Sequence, residues 1–148
     1  MQIRRFREDD RALYLKLAED FYHSPAVLHP VPHEYLERTF NEMIRSNVYV
    51  DGFLLMSDEG ETVGYALVSK TFTQEAGGLT LWVEELSVLP SYRGQGAGSK
   101  VLAHLESEYP DWARFRLEVE PDNVRAVKLY ERFGYEEIPY FQMGKDAQ

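Results

Sequence analysis

Residues 86–100 read LSVLPSYRGQGAGSK, and this segment gives the clearest indication of the fold. An apolar strand ends at Pro90, and three glycines at alternate positions, Gly94, Gly96 and Gly98, lead directly into a helix. Glycine lets the backbone approach a ligand without a β-carbon in the way, and the first turn of a helix leaves N–H groups unpaired. Together with the helix dipole, these donors suit a pyrophosphate. The stretch therefore predicts a strand, a phosphate-binding turn and a helix in immediate succession.

Two other phosphate-binding motifs fail at this turn. A dinucleotide fingerprint that starts at Gly94 needs a third glycine where the chain has Ser99. A P-loop needs the order Gly-Lys-Ser/Thr, whereas the chain has Gly98, Ser99 and then Lys100. A flexible glycine-rich connection between a strand and a helix remains as the alternative. The sequence on either side of the turn distinguishes it from a phosphate-binding turn.

The residues before the turn change from helical to strand periodicity. A short strand over residues 2–6 precedes two amphipathic helices, the first capped by Asp9 or Asp10 and the second ending near Ser46. Three β-rich runs separated by turn residues then predict an antiparallel meander. These runs are residues 48–56, 63–72 and 79–88.

The residues after the turn predict a helix, a strand, a second helix and a last strand. The helices cover residues 96–109 and the stretch after Asp122 or Asn123, where Gly134 suits a left-handed C-terminal cap. The strands lie near residues 115–119 and 135–143. A strand–helix–strand passage over residues 79–119 implies one parallel crossover. We therefore expect one α/β (α+β) domain over residues 1–148, with a mixed, mostly antiparallel sheet and helices on both faces.

Composition narrows the classes of partner and chemistry. The 148 residues carry 16 Lys and Arg against 25 Asp and Glu, a formal charge of −9, so nucleic acid and anionic membranes are not expected partners. With no cysteine, disulfides, thiolate metal sites and a cysteine nucleophile are excluded. No apolar leader or spanning segment is visible, which favours a cytoplasmic protein. The histidines show no metal-ligand spacing, so no metal is expected; they are His23, His29, His33 and His104.

Two motifs in this order resemble those of a known family. The pattern Arg93-x-x-Gly96-x-Gly98, after a strand and before a helix, resembles motif A of the GNAT N-acetyltransferases. Residues 123–135, which include Asn123 and Tyr130, resemble motif B of the same family. The resemblance extends over residues 63–135, roughly half of the chain. The resemblance implies the GNAT fold, acetyl-CoA as the acyl donor and an amine as the acceptor. A homodimer is also expected, because dimers are common in this family.

The resemblance also implies how acetyl-CoA is held. The backbone of Leu86 and Val88 is expected to pair with the pantetheine arm as an added strand would, and the amides of residues 93–99 to hold the pyrophosphate. Asn123 is expected to contact the coenzyme arm from the other side. The full set of expected acetyl-CoA-binding residues is Leu86, Ser87, Val88, Arg93, Gly94, Gln95, Gly96, Ala97, Gly98, Ser99, Asn123 and Tyr130.

Amine acetylation needs an acid and a base. A primary ammonium with a pKa near 10.4 must lose a proton before it attacks the thioester, and the leaving thiolate must gain one. By resemblance Tyr130 is the acid. The run around Glu84 resembles the spermidine/spermine acetyltransferases, which makes Glu84 the first candidate base. Glu118, twelve residues before Tyr130, matches the base of acetyltransferases acting on protein N-termini and ranks second, and Glu85 ranks third. Strand alternation predicts that Glu84 and Glu85 point to opposite faces.

Three functions stay open at this stage. The first is acetylation of a small cationic amine by direct attack in a ternary complex, which suits the acidic chain and the absent cysteine nucleophile. The second is acetylation of a protein N-terminus or of a lysine. The third is a noncatalytic acyl-CoA-binding module, against which the presence of Tyr130 and Glu84 argues.

Overall fold

One mixed sheet runs through the computed structural model, which describes residues 1–147. Its strands lie in sequence order, and every neighbouring pair is antiparallel except β4 and β5, which are parallel. The strands are β1 (Gln2–Arg5), β2 (Val50–Met56), β3 (Thr62–Thr73), β4 (Gly78–Val88) and β5 (Trp112–Leu117). The predicted meander with a single parallel crossover is therefore confirmed.

Within residues 1–147 the chain forms four α-helices and two short 3₁₀ turns, Glu8–Asp10 and Pro90–Tyr92. The α-helices are α1 (Arg11–Tyr22), α2 (His33–Arg45), α3 (Ala97–Glu108) and α4 (Val124–Arg132). The first two fall where the helical periodicity predicted them, and α3 begins directly after the glycine turn. None of these helices combines the length and the apolar content that crossing a bilayer requires.

Two apolar cores occupy opposite faces of the sheet because neighbouring strand residues point to opposite sides. On one face Tyr14 of α1 and Phe40 of α2 pack over Leu54 and Tyr65. On the other face α3 places Val101 and Leu105 over a second set of strand side chains. That set is Phe53, Leu55, Ala66, Val68, Leu81 and Val83. The prediction of helices on both faces is confirmed.

Chain contacts define two compact units, Met1–Glu118 and the residues from Val119 onward. The second unit contains α4, whose start is capped by Asn123: its side-chain oxygen accepts from the amide of Ala126 at 3.4 Å. The helix ends in a Schellman motif, with Gly134 at φ +86° and the amide of Tyr135 donating to the carbonyl of Tyr130 at 3.0 Å. The predicted left-handed cap at Gly134 is confirmed.

The strand predicted over residues 135–143 is wrong, since the structure has no regular element after α4 among the described residues. Pro139 has no N–H group to donate to a ladder and divides the apolar run into two short pieces. Tyr140, Phe141 and Met143 are exposed rather than packed into a sheet.

A buried ionic cluster joins β1, β2 and β3 to the end of α3. Asp51 on β2 is only 2% exposed, and its carboxylate contacts Arg5 Nη1 at 2.5 Å and Lys70 Nζ at 2.7 Å. Tyr109 donates a hydrogen bond to the same carboxylate, and Arg5 also pairs with Glu108 at 2.9 Å. A buried carboxylate is tolerated here because each oxygen meets a cation and a hydroxyl adds a further donor.

We expect Asp51→Asn to lower the free energy of unfolding by about 3 kcal/mol, because it removes the carboxylate that pairs with Lys70 and leaves Arg5 with Glu108 alone. Urea unfolding followed by circular dichroism measures the loss. The control is Asp58→Asn, which removes an 80% exposed carboxylate from its pair with the N-terminus and should change little. Equal destabilisation of the two proteins would contradict the importance of the buried cluster.

Candidate active site

The glycine turn takes a conformation that only glycine adopts readily. Gly94 and Gly96 have φ angles of +79° and +81°, in the left-handed region where a β-carbon is strained. Gly96 is also the N-cap of α3. Two left-handed residues separated only by Gln95 lead into α3, which begins at Ala97 after a short 3₁₀ turn at Pro90–Tyr92.

The turn presents unpaired amides to an open space. Lys100 donates its amide to the carbonyl of Gly96 at 3.1 Å. Within residues 1–147 no backbone carbonyl accepts from the amides of Ala97, Gly98 or Ser99, which precede it. The first turn of α3 contains no acidic side chain, and a β-carbon added at Gly96 would meet no protein atom within 4 Å. Such an end of a helix favours a phosphate.

Three side chains of this segment donate hydrogen bonds to nearby protein groups. The Nε of Arg93 donates to the carbonyl of Val88 at 2.9 Å, and the Nε2 of Gln95 donates to the carbonyl of Ser91 at 3.1 Å. Tyr92 donates its hydroxyl to Glu61 on the neighbouring turn. The groups of this turn that could receive an anion are thus its amides, and Arg93 adds a positive charge to the turn.

The edge of β4 opens just before the turn. The parallel pairing of β4 with β5 ends at Val83 opposite Leu117, five residues before β4 itself ends. The amide of Leu89 donates to Val63 next to β3, and backbone direction alternates along a strand. The N–H and C=O groups of Leu86 and Val88 therefore point away from β3. An extended ligand can pair there, as an added strand would, with both groups of Leu86 and with the N–H of Val88, whose carbonyl already accepts from Arg93.

A β-bulge places Glu84 and Glu85 on the same face of the sheet. Leu67 pairs with Glu85 but the next residue, Val68, pairs with Val83, so Glu84 is one extra residue in β4. Glu85 accepts a hydrogen bond from Tyr65 and Glu84 accepts one from Ser69.

Tyr65 and Ser69 lie four residues apart on β3 and share the face that α1 covers. Both carboxylates therefore point to that face. The prediction that strand alternation separates Glu84 from Glu85 is wrong, because the bulge breaks the alternation.

Glu85 is a buried carboxylate held by hydroxyl groups. Its side chain is 6% exposed, and it accepts hydrogen bonds from Tyr65 Oη at 2.6 Å and from Tyr22 Oη at 3.4 Å. Burial, and to a lesser extent the negative charge of Glu84, raise the pKa of Glu85 to about 7 against the opposing effect of the two hydroxyl donors. A carboxylate with such a pKa exchanges protons near neutrality, a property of functional sites. Sequence reasoning ranked this residue last.

The other two candidate bases and the candidate acid lie in different environments. Glu84 is exposed and accepts from Ser69 Oγ at 2.6 Å. Glu118 is exposed and follows the end of β5. Tyr130 is half-buried on α4, with its ring 5.7 Å from that of Tyr135, and burial raises the pKa of its hydroxyl.

The sequence-predicted residues divide between the two units. The first unit contains the turn, the open edge at Leu86 and Val88, and both carboxylates of the bulge. The second unit contains Asn123 and Tyr130. Within residues 1–147 no group of three or more acidic or histidine side chains is arranged to hold a metal ion.

Comparison with known proteins identifies relatives of the chain. Thialysine N-epsilon-acetyltransferase of Sus scrofa is 36% identical over 81 residues, which are 51% of this chain and 45% of that protein. Spermine/spermidine N(1)-acetyltransferase of Bacillus subtilis (strain 168) is 29% identical over 84 residues, which are 53% of this chain and 55% of that protein. The chain thus spans about half the length of these curated relatives.

The fold recurs in solved structures and in a family model. An aminoglycoside N-acetyltransferase, AAC(6')-Iy in complex with CoA, superposes with a TM-score of 0.77 at 17% identity, covering 98% of this chain and 93% of that one. The model of the family described as "Acetyltransferase (GNAT) family" matches residues 11–135. Because this match covers well over half of the chain, the chain belongs to the GNAT family of acetyltransferases.

Proposed function

We propose that the chain transfers the acetyl group of acetyl-CoA to a primary amine, with a small cationic amine as the favoured acceptor. The observation that carries the proposal is the order of features along β4: two carboxylates, then an open edge, then the amide-lined turn. Carboxylates attract a cationic amine, and the turn attracts phosphate. The names of the two relatives, acetyltransferases of thialysine and of spermine and spermidine, support an amine acceptor.

Acetyl-CoA is expected to lie along the open edge. Its pantetheine arm would pair with Leu86 and Val88, and its pyrophosphate would accept from the amides between Gly94 and Ser99. The unpaired amides and the open space at Gly96 fit such an anion. In this proposal residues 1–148 act as one domain, and Asn123 keeps the contact with the coenzyme arm that the sequence predicted. A cytoplasmic location and a homodimer also remain predictions.

The chemistry proceeds by direct attack in a ternary complex. Glu84 takes one proton from the ammonium group through water, and the neutral nitrogen attacks the thioester carbonyl carbon. The carbon–sulfur bond breaks, and Tyr130 gives its hydroxyl proton to the leaving thiolate. The nitrogen loses its second proton to water, and the Tyr130 phenolate takes a proton back from water, so that one proton in total is released with each amide formed. Burial favours the protonated form of Tyr130, which suits a proton donor. No acyl-enzyme forms.

A thiol-release assay with a panel of amines tests the function. The panel contains a diamine, a polyamine, an aminoglycoside, a peptide with a free N-terminus and a peptide with an internal lysine. Release of CoA with the small amines supports the proposal, and release only with the peptides supports a protein acetyltransferase. Acetyl-CoA binding with no release from any acceptor would favour the noncatalytic module.

We expect Glu84→Gln to lower turnover at neutral pH by about 10-fold or more, and much less at high pH, where solvent already deprotonates the amine. The pH profile of kcat measures this. Glu59→Gln, which removes an exposed carboxylate from the turn between β2 and β3, serves as the control. A uniform loss at every pH would mean that Glu84 only binds the cation. An unchanged profile would transfer the role to Glu118, whose Gln variant should then show the pH-dependent defect.

A further inference from the structure

Glu85 is the one buried carboxylate of β4, and the chemistry proposed above does not use it. An ionisable group in an apolar core costs stability unless it is paired or functional. The groups that face Glu85 are Tyr65 on β3, Tyr14 and Tyr22 on α1, and Glu84 beside it on β4. Within residues 1–147 no lysine, arginine or histidine forms an ion pair with Glu85. It therefore differs from Asp51, which two cations neutralise.

The hydroxyl of Tyr22 contacts Glu85, and the bulge places Glu84 on the same face of the sheet. Tyr22 is the last residue of α1 and is half-buried, and its Oη donates to Glu85 Oε2 at 3.4 Å. The negative charges of Glu85 and Glu84, together with burial, raise the pKa of Tyr22. A neutral hydroxyl that donates to one carboxylate can accept a proton from a water on its other side while it gives its own proton to that carboxylate.

We infer that Glu85 holds the proton that Glu84 takes from the ammonium group, with the Tyr22 hydroxyl as the link between them. The inference rests on the proposed acetyltransferase function. In the step, protonated Glu84 gives its proton through water to Tyr22 Oη, and Tyr22 gives its own hydroxyl proton to Glu85, to which it already donates. Glu84 returns to the carboxylate form, Tyr22 is unchanged, and Glu85 becomes the neutral acid until solvent removes the proton. Glu85 is a positioning residue in this scheme, since it acts on the amine through Glu84.

Burial and the hydroxyl donors give Glu85 the proton affinity that this task needs. A proton acceptor works best when its pKa lies near the working pH. The carboxylate can then take a proton from the exposed side and release it to solvent without a large barrier in either direction. The hydrogen bond from Tyr65 keeps the ionised form accessible, because donors to a carboxylate favour its charged state.

The pH profile of kcat/KM for the best amine of the panel tests the inference. In the wild type we expect an acidic limb near pH 7, which reports the ionisation of Glu85. Glu85→Gln should remove this limb and lower the plateau by about 10- to 100-fold. Tyr65→Phe removes a donor to the carboxylate, raises its pKa and should move the limb to higher pH. Tyr22→Phe should lower the plateau without abolishing coenzyme binding.

Tyr14→Phe is the matched control. Tyr14 belongs to the same ring cluster, with its centroid 6.0 Å from that of Tyr65, but it makes no hydrogen bond to Glu85. Its removal should leave the limb in place. A loss of activity that is the same at every pH in Glu85→Gln, with the limb unmoved, would overturn the inference and leave Glu85 a packing residue.

Direct titration keeps the test independent of activity and of folding of the variants. The carboxyl resonance of Glu85 in wild-type protein labelled with ¹³C-glutamate should titrate near pH 7. A resonance that titrates in the ordinary range of glutamate would overturn the inference. If no amine in the panel is acetylated, the proposed function fails instead, which is a separate result. Turnover with an amine but with no limb assignable to Glu85 would refute only the proton-holding role.

Discussion

Gly96→Val is expected to weaken acetyl-CoA binding by about 10²- to 10⁴-fold, the loss of two or more charge-assisted hydrogen bonds. The side chain would project into the open space over the first turn of α3, where no backbone carbonyl accepts from the amides of Ala97, Gly98 and Ser99. Valine there prevents the phosphates from reaching these donors. Isothermal titration calorimetry with the folded protein measures the dissociation constant.

A second effect has to be separated from this steric one. Gly96 is left-handed, so a valine also strains the backbone by about 1–2 kcal/mol. Gly77→Val is the control, because Gly77 has φ +71° and open surroundings but lies in the turn between β3 and β4. It should lose stability and keep coenzyme affinity. If the two variants bind acetyl-CoA equally well, the phosphates lie elsewhere.

Tyr130→Phe is expected to lower kcat by about 10²- to 10⁴-fold, the range for removing a general acid, while coenzyme affinity stays close to that of the wild type. The thiolate would then leave without a donor. The raised pKa of Tyr130 keeps its proton in place above the pH at which a free tyrosine loses it, so the wild-type rate should persist into alkaline solution. Steady-state kinetics and calorimetry on the same preparation measure the two quantities.

The control for this change lies in the same unit. Tyr140→Phe removes a hydroxyl from a residue that is 62% exposed and should leave kcat unaltered. Near wild-type turnover in folded Tyr130→Phe would show that Tyr130 only packs and that water protonates the thiolate.

The elements that local sequence determines were predictable, and the glycine turn is the best case. Left-handed φ angles are rare without glycine, so Gly94 and Gly96 specify the turn by themselves. The helices followed from apolar spacing, and Gly134 from the need for a left-handed residue after α4. In each case the signal lies within a few residues of the feature that it determines.

The features that depend on how one segment of the chain packs or pairs with another were not predictable from the local sequence. Whether Glu84 and Glu85 point to one face or two depends on the number of residues in β3 opposite them, and nothing in the run from Trp82 to Leu86 shows it. The burial of Glu85 likewise depends on Tyr22, which lies on a helix 63 residues earlier. The wrong prediction of a strand over residues 135–143 has the same cause. The missing N–H group of Pro139 matters only at a position where a neighbouring strand would accept a hydrogen bond from it.

The bulge in β4 also bears on how the chain tolerates a change in length. Glu84 is the extra residue, so a deletion there would leave Leu81 and Val83 on the face of α3 and Glu85 on the face of α1. The core would survive the deletion. The strand would lose its local bend, however, just before Leu86 and Val88, where we propose that acetyl-CoA binds. A one-residue deletion at this position is therefore expected to give a folded protein with weaker acetyl-CoA binding, because the geometry of the open edge depends on a residue that the core does not need.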